Sequence, residues 1–193
     1  MELLFTIRRS SNTIGNCVSK LIFERSLILF TIKEKNRQEL EEELNDLEFQ
    51  IYRMQENMKD LSKDAKVLGI DQSKHDEWMI VSSIDDGQTC KIMLTDCKTA
   101  YRGKGCFSLV ASYKDDAIHI GDIKGPPNHG FGSICMKYLK DIARDHNIPK
   151  VTGDIAKRDW NHVDRLIHFY EKHQFKVCID HDTQSGSIKW VDL

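Results

Sequence analysis

The chain has 193 residues, a formal net charge of −2, 30% charged and 40% hydrophobic side chains. That is enough for one buried core with an extension beside it, and the near-neutral balance excludes a broad attraction to nucleic acid or to a membrane surface. Six cysteines, at positions 17, 90, 97, 106, 135 and 178, include no Cys-x-x-Cys pair. They read as small buried hydrophobes of a reduced, cytoplasmic protein rather than as a disulfide framework.

Residues 1–34 form an extension with no assigned chemistry. Its apolar run, 21–32, is interrupted by Glu24 and Arg25 and is too short to span a bilayer. It also lacks the charged start, clean apolar core and small-residue cleavage site of a signal peptide. Residues 35–66 differ in kind. Leu40, Leu44, Leu47, Ile51, Met54, Met58 and Leu61 alternate steps of four and three, with charge around them and no glycine or proline between. This is a heptad stripe and predicts one long amphipathic helix. Such a stripe suits a helical partner through 40–61, either a second copy or another chain, or it lies along its own domain.

Residues 67–193 make the main unit. Strands are expected over about 77–84, 88–95 and 106–113, with Asp85, Asp86 and Gly87 as a turn. Next comes a strand containing Ile118, Ile120 and Ile123. A turn follows with the breakers Gly125, Pro126, Pro127 and Gly130. Beyond it, Phe131, Cys135, Tyr138, Leu139 and Ile142 have helical spacing, stopped near Asn147 and Pro149. Residues 151–155 read as another strand. Asp159 and Asn161 are N-cap candidates for a helix over about 162–173. Strands over 175–180 and 187–191 close the chain. The order implies an α/β fold: a mixed, mostly antiparallel sheet flanked by helices, preceded by the long N-terminal helix.

The strand–turn–helix around Gly130 aims unpaired helix N–H groups at whatever lies beyond the strand end, which is where an anion binds. A P-loop needs lysine after its second glycine, and Phe131 stands there. A dinucleotide fingerprint needs a glycine at Cys135. What remains is Gly-x-Gly, at Gly130 and Gly132.

That turn resembles motif A of the GNAT N-acetyltransferase superfamily, Gln/Arg-x-x-Gly-x-Gly/Ala, with Pro127 in the Gln/Arg position. The segment His168-Phe-Tyr-Glu-Lys-His-Gln-Phe175 resembles the same superfamily's motif B ending, with Gln174 in place of the usual glycine. The two lie in the family's order and spacing, and the resemblance covers about residues 76–193. The whole segment also resembles Bacillus acetyltransferases of prophage type. The resemblance implies acetyl transfer from acetyl-CoA to an amine by direct attack, without an acyl-enzyme. It implies that Asn128, His129, Gly130, Phe131, Gly132 and Ser133 hold the pyrophosphate. The strand end at Ile123 would supply a backbone N–H to the thioester oxygen, and Tyr170 would protonate the departing thiolate. Lys172 is a candidate contact to the phosphates. The base is one of His119, Asp122 and Asp154, with Asp154 preferred at the end of its strand. By strand parity at most one of His119 and Asp122 faces the cleft. The acceptor is an amine of a small molecule or a protein.

Two further expectations complete the reading. Tyr101-Arg-Gly-Lys-Gly105 imitates motif A, but Phe107 and the short run after it leave no room for a helix. It is a hairpin loop, with Tyr101 and Arg102 near the acceptor. The histidines at 75, 146, 162, 168, 173 and 181 lack metal spacing, so no metal is expected. The alternative is a catalytically degenerate interaction protein acting through its N-terminal helix, favoured by the departures at Pro127 and Gln174.

Overall fold

A computed structural model describes residues 37–192. The extension 1–34 and its apolar run therefore lie outside the described residues. Contacts divide the chain into two units, Met1–Phe49 and Gln50–Leu193. The described part of the first is helical and exposed, with Leu40, Leu44 and Leu47 each about half accessible. No helix among the described residues is long and apolar enough to cross a membrane.

Helix α1 is described over Arg37–Leu61 and ends at Leu61, before the expected 66. The chain turns at Ser62 and Ala65, whose N–H groups donate to Met58 O and Leu61 O. It then enters β1, Lys66–Gln72, a strand the sequence reading missed. The reason is a bulge. The register with β2 shifts between Val67 and Gly69, so Leu68 is an extra residue and the period of two is lost. Leu68 packs in the main core, whereas Val67 packs in a second, smaller cluster.

The remaining elements follow the expected order. They are β2 (Trp78–Asp85), β3 (Thr89–Asp96), β4 (Phe107–Lys114), β5 (Ala117–Lys124), α2 (Phe131–Asp145) and β6 (Lys150–Ile155). After them come a 3₁₀ helix (Lys157–His162), α3 (Val163–Lys172), β7 (Lys176–Asp180) and β8 (Ser185–Val191). One sheet of eight strands runs β1-β2-β3-β4-β5-β6-β8-β7. Only β5 and β6 pair in parallel; the six other ladders are antiparallel. Residues 101–105 are a loop between β3 and β4, as read from the sequence.

Alternation puts Met79, Val81, Ile92, Leu94, Leu109, Ile118, Val151 and Ile188 on one sheet face. Ile134, Met136, Leu139 and Ala143 of α2 cover them, all essentially inaccessible. Burying each such side chain contributes about 1.5–3 kcal/mol. On the other face Leu61, Ile80 and Cys97 form the second cluster with Met54, Met58 and Tyr101. The lower heptad positions of α1 are therefore spent on its own sheet. Asn57 completes that docking: Nδ2 donates to Asp96 O (3.0 Å) and Thr99 O (2.8 Å), and Oδ1 accepts from Tyr101 N–H (2.8 Å).

The cysteines divide. Cys90, Cys97 and Cys135 are buried, and burial pushes the first two thiols up to about 11 and the third to about 12. Cys106 and Cys178 are exposed, contrary to the expectation, because both sit on strand or loop positions turned from the core.

Asn57 is 1% exposed. Asn57→Ala leaves three backbone groups without their partner, so urea unfolding should show a loss of about 3 kcal/mol.

Candidate active site

The site begins where the β5–β6 ladder ends. Ala117, Ile118, His119 and Ile120 pair with Lys150, Val151, Thr152 and Gly153, and there the pairing stops. Both strands continue, but with other neighbours. Asp122, Ile123 and Lys124 stay on β4, while Asp154 and Ile155 stay on β8. The strands splay, and the β6 side of residues 121–124 becomes an open backbone edge. A cleft of about 870 Å³ occupies the gap. Its walls are the end of β5, the turn before α2, the end of β6, the 3₁₀ helix and α3.

The β4–β5 register also shifts, from Ala111↔Ile120 to Val110↔Asp122, so Gly121 is a bulge residue. The bulge corrects the parity argument. With one extra residue between them, His119 and Asp122 share a sheet face, and both line the cleft.

The turn into α2 is built from left-handed residues. Gly125 has φ +145°, and a Cβ there would lie 2.3 Å from the Phe107 ring. Gly130 is the N-cap of α2 at φ +81°, and its Cβ would lie 3.1 Å from Lys74 N. Gly132 is crowded by α3: a Cβ there would lie 3.1 Å from ring atoms of Phe169. Gly130 is thus favoured by its left-handed backbone and by the close Lys74 main chain, a reason absent from the sequence reading, whereas a side chain at Gly132 would need the Phe169 ring to shift by a few tenths of an ångström. Gly130 O accepts the N–H groups of Ser133 (3.0 Å) and Ile134 (3.2 Å). The N–H groups of Phe131 and Gly132 have no partner among the described residues, and both residues line the cleft. The first turn of α2 carries no acidic side chain. Such an end attracts an anion.

Of the residues assigned to the cofactor, Ile123, Asn128, Gly130, Phe131, Gly132 and Ser133 line the cleft. His129 does not. Its ring stacks on Phe131 (5.1 Å) and meets His75 edge-on (5.0 Å), and its Nδ1 is buried without a partner. The Ser133 hydroxyl is engaged too, 2.9 Å from Nε2 of His173. Burial first, then Lys140 and Lys172, lower His173 to about 4, so the imidazole is neutral. Lys140 donates to the His173 carbonyl and lies over the Phe175 and Trp190 rings. This clasp fixes the start of α2 to the end of α3.

Tyr170 lines the cleft from α3 and is 7% exposed, packed on Phe169 and Phe175. Burial, with help from Asp159, pushes its phenol up to about 12, so it carries its proton throughout the neutral range. Across the gap, Nδ1 of His119 is 3.1 Å from Thr152 Oγ1, and Nε2 is 3.5 Å from Asp154 Oδ2. Asp122 pairs with Lys124 at 2.6 Å, which holds its carboxyl below the usual range.

Several expectations change. Neither Asp159 nor Asn161 caps α3; they lie in the 3₁₀ helix, and His162 is the N-cap without a side-chain bond. Tyr101 and Arg102 do not line the cleft, because Asn57 and the second cluster hold Tyr101 elsewhere. Arg158, Arg165 and Lys74 do line it, and the sequence reading had named only Lys172 among the cations. The usable signal was spacing: Arg165, His168 and Lys172 fall at i, i+3 and i+7, on one face of a helix. Among the described residues no group of His, Cys, Asp and Glu is arranged to hold a metal.

The end of α3 is a Schellman motif. Phe175 N–H donates to Tyr170 O (3.0 Å) and Gln174 N–H to Glu171 O (2.8 Å), with Gln174 at φ +62°. The motif forms despite the missing glycine, at the steric cost of a left-handed side-chain residue. Gln174→Gly should raise stability by about 1 kcal/mol in chemical denaturation. His173 makes a separate prediction. Its folded value is depressed, so the unfolded chain takes up the proton first. The urea midpoint should hold above pH 6.5, fall between pH 6.5 and about 4, and fall less steeply there in His173→Gln.

No family model matches the chain. Solved structures that resemble it are acetyltransferases. The Campylobacter jejuni N-acetyltransferase PseH is 14% identical, with 83% of this chain and 94% of that chain covered and a TM-score of 0.42. A Bacillus subtilis acetyltransferase in complex with CoA is 13% identical, with 55% and 78% covered and a TM-score of 0.43. At this depth the likeness fixes no activity. The uncharacterized protein YocC of Bacillus subtilis (strain 168) is 98% identical over 165 residues, which are 86% of this chain and 100% of that protein. The chain belongs to the family of YocC.

Proposed function

We propose that the chain is an N-acetyltransferase of GNAT type, moving acetyl from acetyl-CoA to an amine by direct attack. The observation that carries this reading is the splay of β5 from β6 with the donor turn and Tyr170 around it. The fit to acetyl-CoA is chemical. The free N–H groups of Phe131 and Gly132, with Arg165 and Lys172 beside them, suit a pyrophosphate. The open edge of residues 121–124 offers backbone groups to the amides of the pantetheine arm. A backbone N–H near Ile123 would oppose the negative charge that grows on the thioester oxygen. Acetyl-CoA supplies the activated acyl group; the residues bind it, orient it and exclude water.

In this reading Tyr170 acts on the leaving group. With its pKa raised to about 12 the phenol is no strong acid, but it is a fixed neutral donor in an apolar wall. It hydrogen-bonds the sulfur as the carbon–sulfur bond lengthens. Departures at Pro127 and Gln174 leave these features intact: Pro127 lines the cleft, and Gln174 adopts the turn that glycine would.

Calorimetry should give acetyl-CoA binding near the micromolar range, about −8 kcal/mol; a folded protein that takes up none would sink the reading. Tyr170→Phe should lower kcat about 100-fold with acetyl-CoA affinity unchanged, read by thiol release. Equal turnover would remove Tyr170 from the chemistry.

A second reading rests on the helix. Leu40, Leu44, Leu47 and Ile51 are each about half exposed and lie on one stripe. A second copy or a partner helix docking there is compatible with either fate of the active site. Leu47→Asp should lower the sedimentation mass if the chain self-associates through this stripe, and an unchanged mass would leave only a different partner.

A further inference from the structure

We propose that His119 is the base that takes the proton from the acceptor amine, and that Asp154 is its positioning carboxylate rather than the base itself. The inference rests on the acetyl-transfer reading and goes further, by assigning the proton to one atom, Nε2 of His119.

The His119 ring makes two polar contacts. Nδ1 lies 3.1 Å from Thr152 Oγ1, within hydrogen-bond range. Nε2 lies 3.5 Å from Asp154 Oδ2, too long for a good N–H···O bond. The Thr152 hydroxyl can accept from Nδ1–H or donate to Nδ1; the base role requires the first, in which Nδ1–H donates to the hydroxyl. Nε2 then carries the lone pair and faces the gap beside a carboxylate. A gap between a lone pair and a negative oxygen is a place for an N–H group that bridges them. An amine entering there meets a carboxylate that attracts its charge and a nitrogen that accepts its proton.

Accessibility divides the roles. The His119 side chain is 19% exposed and forms part of the cleft wall, whereas Asp154 is 74% exposed. A solvated carboxylate is a poor match for an amine proton near neutrality, and imidazole as a class is a good one. The third candidate is spent, because Asp122 is held by Lys124 at 2.6 Å. The groups around the ring are Thr152 and Asp154 from β6, Asp122 and Lys124 from β5, Ser112 opposite on β4, Lys189 beside Thr152 on β8, and Arg158 from the 3₁₀ helix. Of these, Asp154 alone has an ion-pair contact to the ring.

The step balances. The ammonium first gives one proton to Nε2, and the imidazolium passes it to solvent; the freed lone pair of the amine then bonds to the acetyl carbon, and the second N–H proton passes to Nε2. The carbon–sulfur bond then breaks, and the thiolate takes the Tyr170 proton. Proton return from the imidazolium to the phenolate, through solvent, restores both groups. Asp154 stabilises the imidazolium while it lasts.

The test uses the full chain. With ¹⁵N-labelled histidine, neutral His119 should carry its proton on Nδ1. A proton on Nε2 overturns the proposal. With spermidine and a lysine peptide as amine probes, His119→Gln should lower kcat/KM about 100-fold and flatten the acid limb of the pH profile. Acetyl-CoA affinity should not change. Asp154→Asn should lower kcat/KM by less than His119→Gln does and should keep the acid limb; unchanged kcat/KM overturns the role given to Asp154. An acid limb that survives in His119→Gln also overturns it. Failure of the wild-type chain to bind acetyl-CoA would instead overturn the acetyl-transfer reading, which the tautomer measurement does not depend on.

Discussion

Parallel strands share a ladder only while their backbones run about 4.8 Å apart, and β5 and β6 cease to do so after Ile120 and Gly153. The other parts of the site follow from that separation. Each strand keeps its outer neighbour, β4 or β8, so the sheet is not broken but forked. A fork in a sheet leaves backbone donors and acceptors unpaired at an opening in an otherwise continuous ladder. The Gly121 bulge lies at the fork and turns Asp122 onto the face of His119.

The fork opens to both sheet faces, and the two sides differ. On the α2–α3 side stand the donor turn, the cations of α3 and the buried Tyr170. On the other stand His119, Thr152 and Asp154. In the proposed reaction one side would take the phosphate-bearing thioester and the other the amine, so that the two ligands would approach one carbon without sharing a path. The His173–Ser133 contact and buried Lys140 hold the first side rigid by tying α2 to α3.

Much of this was legible in the sequence, for local reasons. Apolar spacing identified α2 and α3, and the breakers between Gly125 and Gly130 marked the turn. Strands that alternate, such as β3 and β4, were found within a residue or two. The misses share a cause. Bulges at Leu68 and Gly121 insert a residue and reverse parity, and no one-strand pattern encodes that. The end of α1 was misplaced because its heptads continue to Leu61 while their partner changes from solvent to sheet at about Met54. The direction of the His129 side chain could not be read, because position on a loop does not state direction; Phe131 and His75 turn its ring inward.

The crowding at the two motif glycines bears on how such a protein would drift. Lys74 presses on Gly130, which also holds φ +81°, so folding by itself would favour that glycine whatever the chain's chemistry, whereas at Gly132 the Phe169 ring need only give by a few tenths of an ångström. Arg165 and Lys172 carry no such burden, and neither supports the core. On the proposed function, erosion of those two cations, or of His119, would mark lost catalysis in a set of relatives long before Gly130 changed, so the most recognisable glycine of the turn would be the least informative about activity.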